Sequence, residues 1–319
     1  MDAENNNNRR PRNLQGLLRF AMEATKEEDA PSRENHVHER MDPERRQFLE
    51  NALKALTIDV IEQLQTAAET IGSETATEDM KVNAMDTILN YVDDIDTAID
   101  FCKIGGLFVL LPCLCSPYSA IRKKSARLVA ELAQNNPYCQ QQLLAADVLP
   151  KLMDLLTESE TAIDGIRAIS CLVRSYEPCL NAFTEIGGLE CLLGCLQQSE
   201  QEKLITRAAF LLNSLCNDFP RIKDELIKLK VIEMIIPLIQ PSTEYNICLE
   251  TLLSALCSLT ESNEAIERCR TVEFNFASTL DEIIKVAHDK DECKEIVEYS
   301  RLLLKNIFDS EKDGENTDR

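Results

Sequence analysis

Four apolar clusters stand at matched distances along the chain, and this period limits the fold more than any other feature. Gly105-Gly106-Leu107 leads into Leu111 and Leu114, and Val148 into Leu152 and Leu155. Gly187-Gly188-Leu189 leads into Leu193 and Leu196, and Val231 into Ile235 and Leu238. From Leu107 to Val148, Leu189 and Val231 the steps are 41, 41 and 42 residues. Another apolar stretch precedes each cluster, at 84–92, 126–133, 168–173 and 208–216, and a fifth follows at 249–259. Offsets of four and seven give each helix one stripe for a core. Pro137, Pro178 and Pro220 mark polar bends between the two helices of a unit. A period of this size built only of helices belongs to armadillo or HEAT units. The expected fold is an all-α solenoid whose stacked units bury a core that no single unit could bury.

The two ends read differently. Residues 1–40 carry an Asn run, Arg9, Arg10, Arg12 and few apolar side chains, so they are expected to form a disordered tail. Within it, 13–22 places Leu14, Leu17, Leu18, Ala21 and Met22 on one helical face. That segment is too short to hold alone and is either a docking motif or an accident of sequence. Residues 41–79 read as a helical cap: Asp42 caps a helix with Pro43 in its first turn, through Phe48, Leu49, Leu53 and Leu56. Thr57 is expected to cap a second helix through Val60, Ile61 and Leu64 that closes at Gly72. Residues 80–308 hold the repeats and C-terminal capping helices, and the polar stretch 309–319 is expected to fray.

Composition excludes several functions. With 34 Lys+Arg against 55 Asp+Glu the formal charge is −21, which repels a phosphate backbone. Trp is absent and aromatics are 5%, so platforms for stacking bases are scarce. Nine glycines argue against a glycine-rich nucleotide fold. Thirteen cysteines at irregular spacing, several in apolar helical runs (Cys171, Cys191, Cys195, Cys216, Cys257), read as small buried apolar residues of a reducing compartment. With no hydrophobic signal segment at the start and no apolar run of about 18 residues, a soluble, monomeric protein of the cytosol, with the nucleus as a second location, is expected.

No catalytic or metal constellation emerges. His36 and His38 lie in the tail without a third ligand, and His288 stands alone near the C-terminus. Cys113-x-Cys115 and Cys191-x3-Cys195 lack a second pair at zinc spacing. Asp93, Asp94, Asp96 and Asp100 resemble a calcium loop, but counted from Asp94 the sixth position is Ile99 and the twelfth Gly105. They read instead as a bend whose carboxylates cap the next helix. Gly105-Gly106 and Gly187-Gly188 lack the Lys-Ser/Thr of a phosphate loop and read as turns re-entering a helix. Neither an enzyme nor a cofactor is expected.

What remains is a concave face, which solenoids use to grip other macromolecules. The last helix of each unit lines it, and its polar residues include Asn90, Glu131, Arg174, Asn213, Ser214 and Ser258. Arg174 either complements the dipole of the helix it ends or contacts a partner. Asn213 stands among Phe210, Leu211, Leu212 and Leu215, where an amide is costly unless it finds a partner or water. Arg207 and Arg122-Lys123-Lys124 are local basic spots that could be solvated or meet an acidic surface.

Several strings carry a resemblance. Asn13-Leu14-Gln15-Gly16-Leu17-Leu18, Glu44-Arg45-Arg46-Gln47-Phe48-Leu49, Asp100-Phe101-Cys102, Ala168-Ile169-Ser170-Cys171-Leu172-Val173-Arg174 and Ala255-Leu256-Cys257-Ser258-Leu259 occur in one order. Together they resemble the family of cytosolic Hsp70-binding proteins and fungal Fes1 exchange factors. The resemblance implies an armadillo core that embraces one lobe of the Hsp70 ATPase domain and promotes ADP release. It also implies an N-terminal segment, 13–22 here, that engages the chaperone's substrate-binding side and helps expel clients. The family has a branch in the endoplasmic reticulum, whose signal peptide this start lacks. A generic armadillo adaptor for peptides is the alternative, although importin-like grooves rely on Trp and Asn arrays and Trp is missing here. Because the repeats do not need the tail, deleting residues 1–40 leaves cooperative melting and exchange activity intact. Loss of a cooperative transition on truncation, followed by circular dichroism, contradicts this.

Overall fold

In each unit the backbone takes a left-handed step just before the second helix, and the helices are laid out around these steps. The computed structural model describes residues 59–174, 176–198 and 201–309. Among them the positive-φ residues Gly105, Asp147, Gly187, Lys230 and Asn275 each stand immediately before a helix. At this position the helix before has just ended, and a left-handed residue turns the chain sharply. Across Gly187 the two flanking helices meet at 80°.

The described chain opens with α1 (Val60–Gly72) and α2 (Glu78–Leu89). The cap of α1 is Asp59, whose carboxylate accepts from the Glu62 amide at 3.1 Å, rather than the expected Thr57. Five units follow. The first is α3 (Ile95–Lys103), α4 (Gly106–Cys113) and α5 (Ser119–Ala133). The second is α6 (Pro137–Ala145), α7 (Val148–Asp154) and α8 (Ala162–Val173). The third is α9 (Glu177–Glu185), α10 (Gly188–Leu196) and α11 (Glu202–Asp218). The fourth is α12 (Pro220–Lys228), α13 (Val231–Ile235) and α14 (Ile247–Leu259); the fifth is α15 (Asn263–Cys269), α16 (Phe276–Ala287) and α17 (Lys294–Leu304). No strand occurs among the described residues.

Each unit thus has three helices, where the sequence pattern suggested two. The prolines explain the difference. Pro137, Pro178 and Pro220 sit in the first turn of α6, α9 and α12 and open these helices. A proline fits there because φ is already set and no partner for an N–H is needed. The acidic bend behaves as expected: Asp94 caps α3, accepting from the Thr97 amide at 2.9 Å.

The third helices stack side by side in the order α2, α5, α8, α11, α14, α17 and form the rungs of a ladder. Their inward stripes are fully covered: Met85 and Ile88, Leu128 and Leu132, Ile169 and Leu172, Leu211 and Leu215, Leu252 and Leu256, and Leu303. Each such side chain contributes about 1.5–3 kcal/mol when removed from water, and every rung shares its burial with the next. No single helix among the described residues is long and apolar enough to cross a membrane.

The double glycines have separate roles. Gly105 and Gly187 supply φ of 86° and 79°. Gly106 and Gly188 supply space, because a methyl on either would lie 2.3 Å from the ring of Phe101 or Phe183. In the second and fourth units Leu143 and Leu226 replace the ring, and Val148 and Val231 replace the glycine. The pocket is filled either way. Gly188→Ala therefore destabilises the protein by about 1–3 kcal/mol through overpacking. Adding Phe183→Leu recovers part of that loss, as measured by melting midpoints; equal midpoints for Gly188→Ala and wild type contradict the account.

Candidate functional site

The rungs are pinned together by side-chain bonds between neighbouring repeats. Lys124 on α5 pairs with Asp86 on α2. Arg127 on α5 donates to Asp164 on α8 at 2.7 Å, and Arg167 on α8 donates back to Glu131 on α5 at 2.6 Å. At the other end, Asn213 on α11 donates to Ser254 on α14 at 3.0 Å and accepts from Ser258 at 2.6 Å. The amide that looked costly among apolar neighbours is satisfied on both sides.

Between these two pinned regions the ladder has a gap. No side-chain hydrogen bond or ion pair joins α8 to α11 among the described residues. What faces the seam is two exposed guanidiniums, Arg174 at the end of α8 and Arg207 on α11, with no hydrogen-bond or ion-pair partner among the described residues. Arg174 lies over the ring of Phe210, 5.1 Å from its centre, a cation–π contact. Phe210 itself is 50% exposed, although it stood in an apolar run.

This seam opens into a cavity of about 500 Å³. Its floor is Ile166, Ser170 and Cys171 of α8, and its far wall is Arg207 and Phe210. The near wall is the α5–α6 corner, with Gln134, Asn135, Pro137 and Gln140. Asn135 holds φ at 54° in that corner, and the buried Asn136 caps α6 by accepting from the Cys139 amide. Gln140, also buried, donates to the Cys171 carbonyl at 2.9 Å and so braces the corner against α8. Burial pushes the Cys171 thiol up, against the opposing pull of Arg167, Arg174 and Arg207. A second, more apolar hollow continues from Arg207 and Phe210 to Ile163, Ile247 and Thr251.

The expected groove residues divide accordingly. Arg174 and Arg207 line the cavity together. Glu131 is engaged by Arg167, and Asn213 and Ser258 are engaged with each other. Ser214 is half-buried on α11, and Asn90 is exposed at the end of α2, outside the cavity. The Arg122-Lys123-Lys124 spot is spent internally on Glu158, Glu160 and Asp86. The tail residues Asn13, Leu14, Gln15, Gly16, Leu17 and Leu18, and the expected helix beginning near Asp42, lie outside the described residues. Phe210 could have been found from spacing, since it shares a helical face with Asn213 and Asn217 while Leu211, Leu212 and Leu215 face inward. No group of metal-ligating side chains occurs among the described residues.

Residues 14–101 match the family described as nucleotide exchange factor Fes1. Residues 97–245 match the SIL1/FES1/HPBP1 C-terminal domain. Hsp70-binding protein 1 of Rattus norvegicus is 31% identical, with 96% of this chain and 89% of that protein covered. The Homo sapiens protein of the same name is 30% identical over 96% of this chain and 88% of its own. The Hsp70 nucleotide exchange factor FES1 of Gibberella zeae is 30% identical over 38% of this chain and 61% of its own. Among solved structures, a designed armadillo repeat protein superposes with a TM-score of 0.63 at 16% identity, covering 76% of this chain and 99% of that one. The fold is therefore an armadillo-type solenoid.

The Asn213 network makes its own prediction. Asn213→Leu costs about 0.5–1.5 kcal/mol, the net worth of a hydrogen bond of this kind, and lowers the urea unfolding midpoint. In a Ser254→Ala, Ser258→Ala background the same change costs less, because its partners are already gone. Equal cost in both backgrounds contradicts the network.

Proposed function

The chain belongs to the family of Hsp70-binding protein 1 and the exchange factor Fes1, and we propose that its concave groove grips the ATPase domain of an Hsp70 chaperone. The protein is an Hsp70 nucleotide exchange co-chaperone. It acts on the chaperone as a monomer, without a cofactor and without covalent chemistry of its own.

The observation that carries this site is the unpinned seam between α8 and α11. A chain of charge −21 neutralises its groove cations internally at Asp86, Glu131 and Asp164, yet leaves Arg174 and Arg207 free beside an exposed ring. Arginine with an aromatic neighbour is the side-chain pairing on which protein interfaces concentrate their binding energy. The partner surface that fits carries carboxylates above an apolar contact for Phe210. A basic peptide, the ligand that an adaptor reading would supply most readily to an acidic solenoid, is repelled by the same two guanidiniums.

Exchange follows from differential affinity. A factor that grips one lobe of a nucleotide cleft speeds ADP loss only if it binds the open cleft better than the closed one. The factor by which it weakens ADP is the factor by which ADP weakens it. A solenoid suits this role because its stacked units hold the groove to one curvature. The partner lobe must then adapt to the groove. The tail motif at 13–22 engages the substrate-binding side of the chaperone. The compartment is the cytosol, where the many buried thiols would stay reduced; burial pushes Cys179, Cys195, Cys216, Cys257 and Cys269 up to about 12.

Stopped-flow release of a fluorescent ADP analogue from Hsp70 tests the reading. The protein accelerates release with saturation, and it binds the isolated ATPase domain. Arg174→Glu with Arg207→Glu raises the half-saturating concentration about tenfold or more, with unchanged circular dichroism and melting. Unchanged saturation in the folded double variant removes this seam from the interface. Absence of both binding and acceleration removes the function.

A further inference from the structure

Two thiols meet at the seam between the first two units. Cys102 lies half-buried in the last turn of α3, and Cys139 is fully buried in the first turn of α6. Their sulfurs are 3.5 Å apart, within hydrogen-bond reach of each other. Theirs is the one sulfur–sulfur hydrogen bond among the described residues. Elsewhere thiols bond to backbone carbonyls, as Cys113 does to Val109 and Cys195 to Cys191.

Three features set this pair apart from the packing cysteines. The hydrogen bond with Cys139 pulls the Cys102 thiol below its ordinary value, outweighing the opposite effect of burial. Cys139 has the exposed helix start of α6 around it, with Pro137 and Tyr138 before it. The hydrogen bond to Cys102 and burial push the Cys139 thiol up, which leaves Cys102 as the thiol that ionises first. Finally, a disulfide needs a sulfur separation of about 2.05 Å, so the pair requires a closure of about 1.5 Å.

We propose that hydrogen peroxide converts Cys102 and Cys139 into a reversible disulfide that locks the first unit to the second. The Cys102 thiolate attacks one peroxide oxygen and the O–O bond breaks. The sulfenic acid forms, and hydroxide leaves to be protonated to water. The Cys139 sulfur then attacks the Cys102 sulfur, the S–O bond breaks, and a second water carries off the Cys139 proton. Two thiols are oxidised by two electrons and one peroxide is reduced to two waters. A dithiol reductant reverses the step by exchange.

The lock acts next to the groove. Cys139 is one residue from Gln140, and Pro137 and Gln140 form the cavity wall braced to Cys171. Fixing α6 to α3 fixes that wall. The inference does not depend on which partner fills the groove.

The test uses the full chain. Protein is treated with hydrogen peroxide, remaining thiols are alkylated, and peptides are mapped by mass spectrometry while melting is followed by circular dichroism. The expected product is a Cys102–Cys139 linked peptide pair, two hydrogens lighter than the free peptides. The melting midpoint rises by roughly 5 °C and returns on adding dithiothreitol. Cys102→Ser, a half-buried position that tolerates the change, abolishes both. The exposed Cys115 serves as the internal reference thiol. Oxidation of Cys115 with Cys102 and Cys139 both left free overturns the proposal, as does a melting rise that persists in Cys102→Ser.

Discussion

The left-handed step between the two short helices of each unit is the constraint on which the array depends. It sets the angle at which the second short helix leaves, and so where the long third helix lands beside its neighbour. Glycine meets the requirement at 105 and 187 without strain. Asp147, Lys230 and Asn275 meet it with side chains, at φ of 52°, 63° and 45°. Asn and Asp visit this region more readily than most residues, whereas Lys230 is held there by the packing of Val231 and Ile232 behind it. Where the step is glycine, a second glycine follows and a phenylalanine ring fills its space. At Asp147 and Lys230 a leucine and a valine divide the same volume, and at Asn275 Phe276 follows. The unit is thus conserved in geometry while its chemistry alternates.

Much of this was legible because period is a property of apolar spacing. The steps of 41, 41 and 42 residues are the spacing of Leu107, Val148, Leu189 and Val231, all of which are buried, although in the fold Val148 and Val231 stand at the positions of Gly106 and Gly188, one residue before Leu107 and Leu189. The third helix per unit was hidden because α6, α9 and α12 are nine residues each, too short for a stripe to repeat clearly. Prolines that open helices also look, in sequence alone, like prolines that end them. In the groove, Arg174 and Arg207 were visible as polar residues on rung helices. Their freedom was not, since it depends on where the acids of other units fall. Arg122, Lys123 and Lys124 form a stronger basic run in the sequence, but each finds a carboxylate about 36 to 38 positions away.

That contrast explains how an acidic solenoid can hold a basic contact. Pairs between neighbouring repeats such as Arg127–Asp164 and Arg167–Glu131 are partly shielded, so each rung's charge is absorbed by the next. Exposed pairs of this kind contribute little stability, but they determine which cations remain available. After the pairing, the groove retains two unpaired guanidiniums among the described residues where α8 meets α11, a seam held by apolar packing and the Arg174–Phe210 contact without a side-chain hydrogen bond or ion pair. The seam with least internal bonding is the one we propose for the partner.

The charge outside the groove then has a role of its own. At −21 the protein repels free nucleotide and nucleic acid, both of which compete for arginine pairs through phosphate. A partner that presents carboxylates meets the same long-range repulsion, so such a contact forms only where shape and the Phe210 ring supply short-range attraction. Salt acts on the two ranges with opposite sign. Screening weakens repulsion between whole molecules at separations beyond about 8 Å at physiological ionic strength, while a desolvated arginine–carboxylate pair is screened far less. An interface built this way gains in selectivity what it gives up in speed of encounter, because only a surface that completes the seam overcomes the charge surrounding it.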